Sequence, residues 1–159
     1  MFHRTIGFVL CITWLVAAAG CSSGQDKWEK MRPQVFKTQG VVRMDGQPLP
    51  GAIVAFSSIE GNYSGTAVTD DSGKYQLTTF EDYDGVIAGE FQVSVEKNDW
   101  VEYGPEKGTD STGGAYRRPI KKVPLTPAKY RDFEKSELTA TVTPEGPNTF
   151  DFDIQSDAK

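Results

Sequence analysis

Apolar and polar residues alternate with a period of two along much of the chain beyond residue 35. In Glu90–Glu96, Phe91, Val93 and Val95 fall on one face while Gln92, Ser94 and Glu96 fall on the other. Leu138, Ala140 and Val142 alternate with Thr139, Thr141 and Thr143, and Phe150, Phe152 and Ile154 alternate with Asp151, Asp153 and Gln155. A strand with one face in a core and one in water has this pattern. Apolar runs at about 35–43, 51–58, 65–69 and 74–80 bring the predicted strands to seven. Asp45-Gly46 and Ser72-Gly73 supply the glycines that tight hairpins require. Short strands with regular turns predict an all-β antiparallel sandwich. Residues 98–136 break the rhythm, being rich in Gly, Pro and charge, and are expected to form a long loop with a helical turn at Pro127–Phe133.

A different pattern occupies the start. Met1–Arg4 is short and positive, Ile6–Ala19 is almost unbroken apolar, and small residues precede Cys21. This is the three-part layout of a secretory signal, with an apolar run short of the roughly 20 residues a spanning helix needs. Ala18-Ala19-Gly20-Cys21 resembles the lipobox of bacterial lipoproteins, which implies cleavage before Cys21 and acylation of its thiol by diacylglycerol, with palmitate as the acyl group. Two or more acyl chains hold a protein on a bilayer far more firmly than one. Residues 1–20 are thus expected to be a signal peptide and 21–34 a polar tether, with residues 35–156 forming the sandwich. The expected location is the cell membrane or outer membrane, lipid-anchored and facing the periplasm or exterior.

Composition narrows the chemistry. Both cysteines, Cys11 and Cys21, lie in or at the end of the leader, so no disulfide framework is available to the domain. The one histidine, His3, is also in the leader, which removes histidine-based nucleophile activation and metal ligation from the mature chain. A formal net charge of −5 argues against nucleic-acid binding. No enzyme activity is expected, and no cofactor or metal is called for.

Gly40-Val41-Val42, Asp45–Leu49, Gly51–Phe56, Thr69–Tyr75 and Gly89–Val93 together resemble the carboxypeptidase regulatory-like domain, a transthyretin-like (prealbumin-type) fold. The resemblance covers about residues 36–155 and implies a seven-stranded antiparallel Greek-key β-sandwich in a small lipoprotein. It brings no catalytic residues. The related hydroxyisourate hydrolases use histidines and a C-terminal Tyr-Arg-Gly-Ser, neither of which this sequence supplies.

The expected function is therefore a membrane-anchored, non-catalytic binding or scaffolding module of the cell envelope, with an envelope protein or glycan as partner. Tyr63, Trp100, Tyr103 and Tyr116 fall outside the clearest strands and are the candidate ligand-binding residues, since rings on one rim can stack on sugars or grip a protein. A carbohydrate-binding surface module is one alternative. A hydrolase using only carboxylates, with Glu81 or Glu102 as acid, is another. Three further features have simpler explanations. Asp70-Asp71 and Glu81–Gly85 suit turns better than calcium, and Arg117–Lys122 suits a solvated basic loop better than an anionic surface. Lys37 and Asn148 sit on the first and last strands, where some surface sandwiches form an isopeptide bond, but no catalytic acid accompanies them.

Overall fold

The computed structural model describes residues 27–104 and 118–157. The leader, Cys21, Tyr116 and Arg117 lie outside the described residues. The chain divides into two units, Met1–Pro33 and Gln34–Lys159. In the first, Glu29–Met31 forms a short 3-10 turn with no buried residue.

The second unit is all-β. Its strands in chain order are β1 (Val35–Phe36), β2 (Thr38–Met44), β3 (Gln47–Pro48), β4 (Ile53–Ser58), β5 (Ser64–Val68), β6 (Lys74–Gln76), β7 (Val86–Ile87), β8 (Gly89–Glu96), β9 (Asn98–Glu102), β10 (Ile120–Pro124), β11 (Leu138–Val142), β12 (Asn148–Thr149) and β13 (Phe152–Ile154). One sheet is antiparallel in the order β11-β8-β4-β5. The other is built on β2, with β3 and β6 antiparallel along one edge and β12 and β13 parallel along the other. Two small pairs, β1–β7 and β9–β10, complete the set.

The alternation fixes which side chains meet between the sheets. Val54 and Phe56 from β4, Phe91, Val93 and Val95 from β8, and Ala140 and Val142 from β11 face Val42, Tyr75, Phe152 and Ile154 from the β2 sheet. Phe56 is the hub: its ring lies 5.9 Å from Phe91, 6.1 Å from Phe150 and Phe152, and 6.2 Å from Tyr75, tilted or edge-on to each. Burial pushes the Tyr75 hydroxyl's pKa far up, with the nearby Asp151 charge adding to it, so this hydroxyl stays protonated and donates to the Phe150 carbonyl at 2.7 Å. Gly40 permits that arrangement, because a Cβ there would lie 1.8 Å from the Phe150 carbonyl oxygen.

The turns are closed by side chains as well as backbone. Asp45 and Gly46 both take left-handed φ values, 53° and 78°, as the two-residue hairpin between β2 and β3 requires. Asp70 Oδ1 accepts from the Ser72 amide and hydroxyl and from the Lys74 amide; the Ser72 hydroxyl bond contributes most to holding this carboxyl below its usual range. Asp84 accepts from the amides of Thr79, Phe80 and Glu81 at 2.7–2.9 Å. Partial burial raises its pKa, but these amides outweigh the burial and hold it low.

Four expectations change. Residues 98–136 are not a loop throughout: β9 and β10 pair as a ribbon over five positions, while the helical turn expected within Pro127–Phe133 is present as a 3-10 turn at Ala128–Arg131. Both faces of that ribbon are largely in water, so it never shows the apolar-polar alternation that marks a half-buried strand. The segment 35–43 divides at Lys37 into β1 and β2, which pair with different strands. The segment 74–80 keeps strand pairing only to Gln76, after which the chain enters the turn closed by Asp84. Pairing is not antiparallel throughout, since β12 and β13 run parallel to β2; alternation reports which face is buried and is silent on strand direction.

Candidate functional site

The β9–β10 ribbon concentrates the exposed candidate residues. It leaves the end of β8 through Lys97, whose amide donates to Thr126 Oγ1 at 3.2 Å and whose carbonyl accepts from the Leu125 amide at 2.8 Å. These bonds tie the outgoing and returning chains together at the base. Above them Asn98 faces Pro124, Trp100 faces Lys122, Val101 faces Lys121 and Glu102 faces Ile120. The Tyr103 amide continues the ladder by donating to the Pro119 carbonyl at 3.0 Å.

Period-two alternation puts Trp100 and Ile120 on one face of the ribbon, diagonal to each other, and Val101 and Tyr103 on the opposite face. All four are exposed, Trp100 at 66%, Ile120 at 60%, Tyr103 at 53% and Val101 at 44%. Polar partners frame the Trp100 face. Lys122 Nζ lies 2.7 Å from Glu96 Oε1, the Asn98 amide nitrogen donates to the same oxygen at 2.9 Å, and Arg118 lies 3.5 Å from Glu102. The Lys122 bond does most to depress the Glu96 pKa, followed by the Asn98 bond. Asn98 Oδ1 and Arg118 Nε are buried without a hydrogen-bond partner among the described residues.

The described candidates, Tyr63, Trp100 and Tyr103, do not gather on one rim. Trp100 and Tyr103 share the ribbon but point to opposite faces. Tyr63 lies in the β4–β5 turn, edge-on to Phe80 with ring centres 6.0 Å apart. That turn follows Ser58, which pairs with Phe91 at the start of β8, whereas the ribbon follows Glu96 at the other end of β8. Five residues of strand separate the two positions, about 17 Å at strand rise. Falling outside the clearest strands does not bring rings together: the topology sends Tyr63 to one end of β8 and Trp100 and Tyr103 to the other.

The other candidates resolve into local structure. Glu102 is ion-paired within the ribbon, and Glu81 belongs to the separate turn closed by Asp84, so these carboxylates sit on different elements. The Asp70 and Asp84 oxygens are engaged by turn amides, and among the described residues no group of three or more His, Cys, Asp and Glu could hold a metal. The Asn148 side chain is committed to the Thr143 backbone at both ends, accepting from its amide and donating to its carbonyl at 2.9 Å, while Lys37 is exposed. Within the basic segment, Arg118 and Lys122 are paired with acids and Ile120 stands between them. Ile120 was missed as a candidate because it was read as part of a charge run. Its place diagonal to Trp100 becomes visible only once the register is known.

Comparisons with protein-family models, with curated proteins and with solved structures find no match.

Proposed function

We propose that this chain is a lipid-anchored cell-envelope protein, acylated at Cys21, whose sandwich serves as a non-catalytic binding or scaffolding module. In this proposal the domain is of the carboxypeptidase regulatory-like kind, with the Greek-key arrangement of that family, and its grip is the β9–β10 ribbon engaging a protein partner of the envelope. The observation that carries the proposal is the ribbon's exposure of Trp100, Val101, Tyr103 and Ile120 on two faces. An isolated two-stranded ribbon is only marginally stable in water, and tryptophan and tyrosine are the side chains that dominate protein interfaces. The ion pairs around Trp100 suit the polar rim of such an interface.

The test uses the full chain in its native membrane. Metabolic labelling with palmitate is expected to mark the protein and to fail on Cys21→Ala. A photo-crosslinker at position 100 is expected to give one discrete adduct that disappears when Ile120→Ser is added and persists when Tyr63→Ser is added instead. Absence of label overturns the anchor. An adduct indifferent to Ile120 overturns the ribbon as the grip.

A further inference from the structure

The outward face of the β2 sheet holds a polar groove with a chemistry unlike that of the ribbon. On β2 the outward side chains include Gln39 and Val41, with Lys37 just before the strand in the same alternation. Across one edge Gln76 stands opposite Gln39 and Lys74 opposite Val41; across the other Thr149 stands opposite Gln39. A hollow of about 320 Å³ lies over Gln39, Val41, Lys74, Gln76, Thr149 and Asp151, with Gly40 and Tyr75 also lining it. A smaller one of about 70 Å³, lined by Lys37, Gln39, Gln76 and Tyr83, shares both glutamines with it.

What is engaged and what is open in this groove can be told apart. Asp151 Oδ1 accepts from the Val41 amide at 2.9 Å, and Oδ2 faces Arg43 at 3.6 Å. Asp70 lies within electrostatic reach of Lys74 but is held by its own turn. The side-chain amides of Gln39 and Gln76 make no hydrogen bond to any described residue, and they stand side by side across the strands. The ring of Tyr83 is exposed at one end, on a residue held at φ 60° by the turn. Lys37 and the rung bearing Lys74 are four residues apart along β2, about 13 Å.

A ligand that satisfies these groups must offer hydroxyls to paired amides and Thr149, a flat face to Tyr83, and carboxylates to ammonium groups spaced over two or three sugar units. A compact anion would leave the amides unused, and a wholly apolar ligand would leave both the glutamine amides and the lysine ammonium groups without partners. We propose that this groove binds a short uronate-bearing oligosaccharide. The inference goes beyond the protein-binding ribbon, since it uses a different sheet and different residues.

The probe is trigalacturonate, titrated into the isotopically labelled full chain in detergent, with the side-chain NH2 signals of Gln39 and Gln76 followed by NMR. Saturable shifts of both signals are expected below about 10 mM, the range of single-site weak binding. Gln39→Ala/Gln76→Ala and Lys37→Ser/Lys74→Ser are each expected to weaken binding at least about tenfold with unchanged melting, because all four side chains are exposed. Trp100→Ser is expected to leave binding as it was, which separates this groove from the ribbon. Absence of saturable shifts, equal binding of neutral maltotriose, or full affinity in the glutamine double variant overturns the assignment.

Discussion

The core around Phe56 and the ribbon of β9 and β10 are built from the same kinds of residue and treat them in opposite ways. Around Phe56, four aromatic rings from both sheets close on its ring, with Tyr75, Phe91 and Phe152 buried and Phe150 half-buried. In the ribbon, a tryptophan, a tyrosine, an isoleucine and a valine stand in solvent on two faces, and order comes from a ladder and from bonds at the base. The fold therefore does not need the ribbon's apolar residues for its own stability. A surface whose side chains are not spent on folding is free to be spent on binding.

The contrast is broken most severely at the core. Phe56→Ala is expected to cost about 3–5 kcal/mol in chemical denaturation, since it empties the point where both sheets meet. Next in size is Asp84→Ala, expected to cost about 1–3 kcal/mol by leaving three turn amides without their acceptor. The Asp84 carboxyl is held below its ordinary value in the fold, so its contribution is present above the unfolded pKa of about 4 and lost as pH falls through the lower folded value. Stability measured across pH 2–6 is expected to fall less steeply in the variant than in the parent. At the ribbon, Trp100→Ser is expected to shift stability by no more than about 0.5 kcal/mol. A loss comparable to that of Phe56→Ala would mean that the ribbon belongs to the core after all.

Much of this division was legible in the residues. Strands β8, β11 and β13 announced themselves because one face of each is buried, and the Asp45-Gly46 hairpin because only its φ values suit that pair. The ribbon was hidden by the same physics: with water on both faces, Asn98–Glu102 has no periodic burial to display. The candidate aromatics were identified singly, but their separation depends on which end of β8 each element leaves. The groove glutamines carried no signal, because an outward Gln on a strand reads as ordinary surface until Gln39 and Gln76 are paired in register.

The parallel pairing of β2 with β12 and β13 also has a consequence for the order of assembly. The Val41 amide donates its hydrogen bond to Asp151, 110 residues later, and Gly40 is cut to the shape of the Phe150 carbonyl. A nascent chain that has emerged only as far as β11 can complete one sheet but must hold β2 with an unfilled side. Arrival of β12 and β13 thus acts as a latch, and whatever shields β2 beforehand sets how safely the domain reaches its finished form.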